Sequence, residues 1–165
     1  MKFLIVDDIP ESLKPLTSTL RGRDHKITVA RDLSVAWRYI EQKKQFDLIV
    51  IDIALDRYVE AFAEEQSIIR NGLTTRGHED LPMSGQALGL RLWHQRNKLQ
   101  QRYCYTTNHM YLWLPNLDPA DPEFSGGEAA DHAAVIMDKS SLWQNNVEDK
   151  FTAARNEWDT QKWLG

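Results

Sequence analysis

Cysteine is nearly absent from this chain: Cys104 is the single one in 165 residues. An intrachain disulfide is therefore excluded, and such sparse usage fits a reducing compartment. Long hydrophobic runs are missing too. No stretch approaches the roughly 20 apolar residues that a membrane-spanning helix needs. The chain leads straight into a strand-like run, with no secretory leader pattern ahead of it. Basic charge is in deficit, with 20 Lys and Arg against 24 Asp and Glu, a net charge of −4 and a pI near 5.7. A nucleic-acid surface would need a basic stripe, and none is present. The five histidines, at 25, 78, 94, 109 and 132, lack the spacing of a zinc site. Internal repeats and low-complexity tracts are also missing. These absences imply one cytoplasmic domain over residues 1–165, with neither nucleic acid nor membrane among its partners.

What is present begins with two apolar runs that end in acids. Lys2-Phe3-Leu4-Ile5-Val6 stops at Asp7 and Asp8, and Leu48-Ile49-Val50-Ile51 stops at Asp52. Short, continuous Ile/Val-rich runs read as strands buried on both faces, the kind found in parallel sheets. In a doubly wound sheet their carboxyl ends open on one edge, where such folds place ligands. Three carboxylates gathered there repel one another unless a cation is shared. Oxygen ligands of this kind suit a hard divalent cation, Mg2+ above all.

The remaining pattern supports that sheet. Pro10 and Glu11 suit a helix start, Leu13, Leu16 and Leu20 recur at helical spacing, and Gly22 suits a stop. Pro15 is tolerable only in a first turn. Ile27–Ala30 reads as a second strand, and Val35, Ala36, Tyr39 and Ile40 as a second helical face. Residues 57–80 interrupt the alternation. They form a polar, partly helical insertion, with Val59, Phe62, Ala63 and Ile69 as sparse apolar positions, expected to dock on the body as a lid that limits access to Asp52 or as a partner surface. A helix with Leu88, Leu92 and Trp93 follows Gly85, then a strand over Tyr103–Thr107. Residues 115–131, rich in proline, glycine and acids, read as a loop, and its acids Asp118, Asp121 and Glu123 as solvated. Ala133–Met137 is predicted as strand five, ending at Asp138-Lys139. A last helix carries Trp143, Val147, Phe151, Ala154 and Trp158 at steps of four, four, three and four, expected in the core. Trp163, near the end, is the tryptophan that can stand exposed in an interface, and Cys104 is expected to be an inert buried thiol. The fold class is α/β: a flavodoxin-like, five-stranded parallel sheet of order 2-1-3-4-5 with helices on both faces.

In that order the strand tips bring together Asp7, Asp8, Asp52, Thr107 (or its neighbour Thr106) and Lys139. Phosphoryl transfer onto a carboxylate needs few parts, because positioning and charge neutralisation supply most of the effect. It needs a metal, a lysine and a hydroxyl around the attacking carboxylate, and this edge offers each once. Phe3-Leu4-Ile5-Val6-Asp7-Asp8, Thr28–Ala36, Phe46–Asp52, Leu81-Pro82-Met83-Ser84-Gly85 and the strand-end Lys139 together resemble the receiver domain of two-component response regulators. The resemblance covers residues 1–56 and 81–160. It implies Asp52 as phosphoacceptor and Asp7, Asp8, Asp52 and the main-chain carbonyl of Ala54 as Mg2+ ligands. Counting from Gly85, it implies Thr107 as the switch hydroxyl, with Thr106 as rival. It also implies a histidine kinase or phosphotransfer protein as donor, a downstream protein partner, and a second copy of the chain as a candidate partner.

The chain departs from that family in three places. About 25 extra residues follow the acceptor strand, and roughly ten extra separate strands four and five. Ile136 stands where the family usually has an aromatic, and Ser140 where it usually has a proline. The expected role is a stand-alone signalling phosphoacceptor rather than a turnover enzyme. The alternative is a phosphorylation-independent interaction module. A hydrolase with Asp52 as nucleophile fits less well, because Ala54 occupies the position where such enzymes usually carry a second acid.

Overall fold

Apolar runs and turn signals produce the predicted sheet with small shifts at its ends. The computed structural model describes residues 1–42, 44–55, 57–78 and 84–165. Its strands are β1 (Lys2–Val6), β2 (Lys26–Ala30), β3 (Leu48–Asp52), β4 (Tyr103–Thr107) and β5 (Ile136–Asp138). All pair in parallel in the order β2-β1-β3-β4-β5. β3 is buried along its whole length, as a central parallel strand covered on both faces should be. The helices are α1 (Lys14–Gly22), α2 (Leu33–Glu41), α3 (Ala63–Thr75), α4 (Gln86–His94), α5 (Arg96–Leu99) and α6 (Val147–Thr160). Among the described residues no helix is long and apolar enough to cross a membrane.

Local chemistry explains the boundaries. Pro10–Leu13 forms a tight turn of its own, and α1 begins after it with Pro15 in the first turn, where a missing N–H costs little. The Asp32 carboxylate caps α2 by accepting the Val35 N–H at 2.9 Å. β5 starts three residues later than predicted. The His132 carbonyl accepts the Val135 N–H, so Ala133–Val135 close a turn, and the Val135 carbonyl then accepts the Tyr105 N–H where the ladder begins.

One face of the sheet carries α1 and α6, linked by Arg23 and Glu148 at 2.7 Å, and Phe151 of α6 packs on Phe3 of β1. The other face carries α2, α3 and α4. The described part of the insertion packs into this helical layer. A short turn, Glu60–Phe62, leads into α3, which buries Phe62, Gln66, Ile69 and Leu73. Trp37 of α2 meets Phe62 edge-on, and Arg91 of α4 clamps both oxygens of Glu65 and lies over the Phe62 ring. The apolar face of α3 is wide enough to join the helical layer beside α4.

The β4–β5 crossover is irregular, as predicted, but it is not a solvated acidic loop. Three single turns, Met110–Leu112, Glu123–Ser125 and Ala129–His132, replace an α-helix. Leu112, Trp113, Leu114, Glu123 and Phe124 are all buried. Two tryptophan expectations reverse. Trp143 precedes α6 and is 65% exposed. Trp163 is 7% exposed and packs in a ring cluster with Trp93, Phe124 and Trp158. Val147, Phe151, Ala154 and Trp158 form the buried face of α6 as expected. Cys104 is fully buried, and burial pushes its thiol pKa far up, so it is unreactive.

Candidate functional site

β1 and β3 lie side by side with Val6 opposite Ile51, so Asp7 and Asp52 arrive together at the carboxyl edge. Asp8 is one residue further. Carboxylate oxygens of the three lie within 4.8 Å of one another. Asp7 and Asp52 are 1% and 5% exposed, whereas Asp8 is more open. Lys139, just past β5, reaches back across the edge and donates to Asp7 Oδ2 at 2.8 Å and Asp52 Oδ2 at 3.1 Å. Main-chain N–H groups take the other oxygens: Ile9 donates to Asp7 Oδ1 at 2.8 Å and Ala54 to Asp52 Oδ1 at 3.0 Å.

The electrostatics follow from this crowding. Burial pushes the Asp52 carboxyl above its ordinary range. Lys139 opposes the shift and the charge of Asp7 adds to it, with a net rise. For Lys139, burial pulls downward, but the hydrogen bond to Asp7 and the two carboxylate charges outweigh it and hold the ammonium above its usual value. Among the described residues, Lys139 is the cation hydrogen-bonded to Asp7 and Asp52, beside the Asp8 carboxylate. That donor set, hard oxygens with a partial counter-charge, fits a divalent cation such as Mg2+.

Both threonines are buried at the tip of β4. Thr106 sits opposite Asp52 in the ladder and Thr107 opposite Asp138. Side-chain alternation therefore gives Thr106 the same sheet face as Asp52, and Thr107 the opposite face. The Thr107 Oγ1 accepts the His109 N–H at 2.9 Å. Of the segment Leu81–Gly85, residues 81–83 lie outside the described residues. Gly85 donates to the Ile53 carbonyl at 2.7 Å, and a Cβ there would overlap the main-chain oxygen of Asp52. This close approach requires glycine. Ile136, in the position of the family's aromatic, is buried opposite Tyr105.

The sequence reading missed Glu123. It is 5% exposed and both its oxygens are engaged. Tyr103 and Tyr105 donate their hydroxyls to Oε2, and Gln86 and Trp113 donate to Oε1. No local pattern in Pro122-Glu123-Phe124 separates this acid from its solvated neighbours. Asp121, two residues earlier, lies at the surface and pairs with Arg96.

No family model and no curated relative matches the sequence. Solved structures do match. The N-terminal domain of a response regulator/sensory box/GGDEF protein from Carboxydothermus hydrogenoformans has a TM-score of 0.55 at 14% identity, over 98% of this chain and 99% of its own. A CheY-like response regulator receiver domain protein from Methanospirillum hungatei has a TM-score of 0.53 at 16% identity, over 99% and 98%. The response regulator TrrA from Thermotoga maritima, solved in complex with Mg2+ and BeF, has a TM-score of 0.51 at 16% identity, over 97% of both chains. The fold of this chain is that of response-regulator receiver domains.

Proposed function

We propose that this receiver fold works as a phosphorelay switch in which Asp52 accepts a phosphoryl group. The observation that carries the reading is Lys139 bridging Asp7 and Asp52 beside Asp8, on the edge where the three strand tips meet. In the transfer an Asp52 oxygen attacks phosphorus. The bond from phosphorus to the donor atom breaks (an imidazole nitrogen of a phosphohistidine, or an acyl oxygen of a small phosphodonor), and the leaving group keeps that electron pair. Asp7, Asp8, Asp52 and the Ala54 carbonyl would hold Mg2+, which supplies charge neutralisation for the phosphoryl oxygens when bound.

The chain's own residues do the rest. Lys139 is pre-placed as a point charge within reach of Asp52, and it can follow the phosphoryl oxygens without losing Asp7. The Ala54 N–H fixes the Asp52 carboxylate plane through the second oxygen. Two hydroxyls are candidates for the phosphoryl group: Thr107, which the family resemblance implies, and its rival Thr106, which shares the sheet face of Asp52. The adduct carries about −1.5 to −2 charges, which alters the charge balance around Lys139. A histidine kinase or phosphotransfer protein is the proposed donor and a protein the proposed recipient of the signal.

A second reading, an interaction module indifferent to phosphorylation, is favoured by the helix-free β4–β5 crossover and by Ile136. Intact mass decides between them. With Mg2+ and a small phosphodonor, the wild type should gain one phosphoryl group and Asp52→Asn none. A wild-type mass that stays unchanged leaves the interaction module as the better account.

A further inference from the structure

Among the described residues Glu123 is the acid held by the most side-chain donors, and nothing at the acceptor edge uses it. A carboxylate offers about four lone-pair positions, and here four donors occupy them: Tyr103, Tyr105, Gln86 and Trp113. All four are uncharged. A charge buried in this way is tolerable only while its hydrogen bonds are complete. Loss of one partner leaves it under-solvated, so such a network opens as a unit rather than by degrees.

The four donors come from three different elements. Tyr103 and Tyr105 belong to β4, Gln86 opens α4, and Trp113 lies in the β4–β5 crossover. Gln86 also grips the crossover main chain, donating to the Leu114 carbonyl at 2.8 Å and accepting the Leu114 N–H at 2.9 Å. Directly after Glu123 the backbone is strained. Phe124 and Ser125 have φ of 55° and 70°, and Gly126 and Gly127 continue at 83° and 101°. A bulky residue such as Phe124 occupies this region only when its surroundings over-determine it. Here the rings of Trp93, Tyr103, Trp113 and Trp163 do so.

Two of these elements lead directly to the acceptor edge. Gln86 follows Gly85, which is bonded to Ile53 and pressed on the Asp52 carbonyl. Tyr105 lies two residues before Thr107, on the same sheet face, opposite Ile51 and Ile136. A shift at either the start of α4 or the tip of β4 therefore moves a donor of Glu123. We propose that Glu123 is a positioning residue, a latch that ties the placement of the β4–β5 crossover, with its exposed Tyr111, to the state of the Asp52 edge.

This inference rests on the phosphoacceptor reading, and one experiment separates their failures. Full-length chain labelled with 15N is titrated with Mg2+ and beryllofluoride, a phosphoryl mimic, and the indole Nε1–H of Trp113 (assigned with Trp113→Phe) reports the latch. Amides near Ile53, Gly85 and Thr107 report the edge. In the wild type both sets should shift together. In Glu123→Gln the edge should shift while the response of residues 110–117 is lost. Tyr105→Phe, which removes one donor at nearly constant shape, should weaken the same response and serves if Glu123→Gln does not fold. Edge shifts without a Trp113 shift in the wild type would overturn the latch alone, as would a full crossover response in both variants. No shift anywhere would overturn the acceptor reading and the latch with it.

Discussion

At the scale of single residues, Glu123 shows how a carboxylate can be retained inside a core. Burial raises its pKa, and the hydrogen bonds from Tyr103, Tyr105, Gln86 and Trp113 pull it back only in part. The folded-state pKa thus lies above the ordinary value of 4.5. Between those two values the folded chain holds more protons than the unfolded one, so stability falls as pH rises through the interval. The stabilising contribution is complete below 4.5 and lost once pH passes the raised folded value. Tyr103 and Tyr105 do not compete, because burial, with the Glu123 charge adding to it, lifts both phenols well above their usual range. His132 packs against Trp113 and Phe124 and is best removed by comparing proteins in a His132→Asn background. There, Glu123→Gln should lack the wild type's loss of stability with rising pH in denaturant titrations. Its carboxamide also forces the two tyrosine hydroxyls to turn and accept, leaving their hydrogens without acceptors, at a cost of about 1–3 kcal/mol. Parallel pH profiles for the two proteins would show that Glu123 does not titrate differently on folding.

Among the elements, α3 was the hardest to place. Its polar composition suggested a segment hung over the acceptor edge, yet three spaced apolar residues and one buried glutamine are enough to dock it. Gln66 accepts the Val59 N–H and donates to the Arg57 carbonyl, so even its polar group works for the packing. Ile68 and Ile69 provide an internal comparison, being 37% and 0% exposed. Ile69→Ala should destabilise by about 2–5 kcal/mol, whereas Ile68→Ala should change stability by less than about 0.5 kcal/mol. Equal, small costs from chemical denaturation would mean that α3 lies loosely on the body. The same packing implies that replacing residues 58–79 by a short flexible link would expose part of the helical layer and destabilise the fold.

For the whole molecule, the decisive quantity is the charge balance of the strand-tip edge. The Lys139 ammonium lies within hydrogen-bonding range of Asp7 and Asp52, and the Asp8 carboxylate stands beside them. A ligand that binds the folded chain and not the unfolded one raises stability by mass action. Thermal melts should therefore move upward in millimolar Mg2+ for the wild type. Asp8→Ala should show a smaller shift, because it lacks the most open of the three carboxylates. An identical shift in both proteins would point to cation binding elsewhere on an acidic surface.

The sequence by itself determined the sheet, its strand order and the gathering of Asp7, Asp8, Asp52 and Lys139. Short apolar runs, each ended by a charge or hydroxyl, have one economical arrangement in an α/β chain. Helical periodicity did the same for α1, α2, α4 and most of α6. What the sequence left open was decided by contacts distant along the chain. Trp143 keeps step with the periodicity of α6, but it precedes the helix and is largely exposed, while Trp163 turns inward because Trp93, Phe124 and Trp158 leave room for its ring. Glu123 belongs to a stretch that looks solvated, and its burial depends on Tyr103, Tyr105, Gln86 and Trp113, residues 10 to 37 positions away. Local patterns record which face of an element is apolar. They do not record which polar groups will find enough partners to leave water.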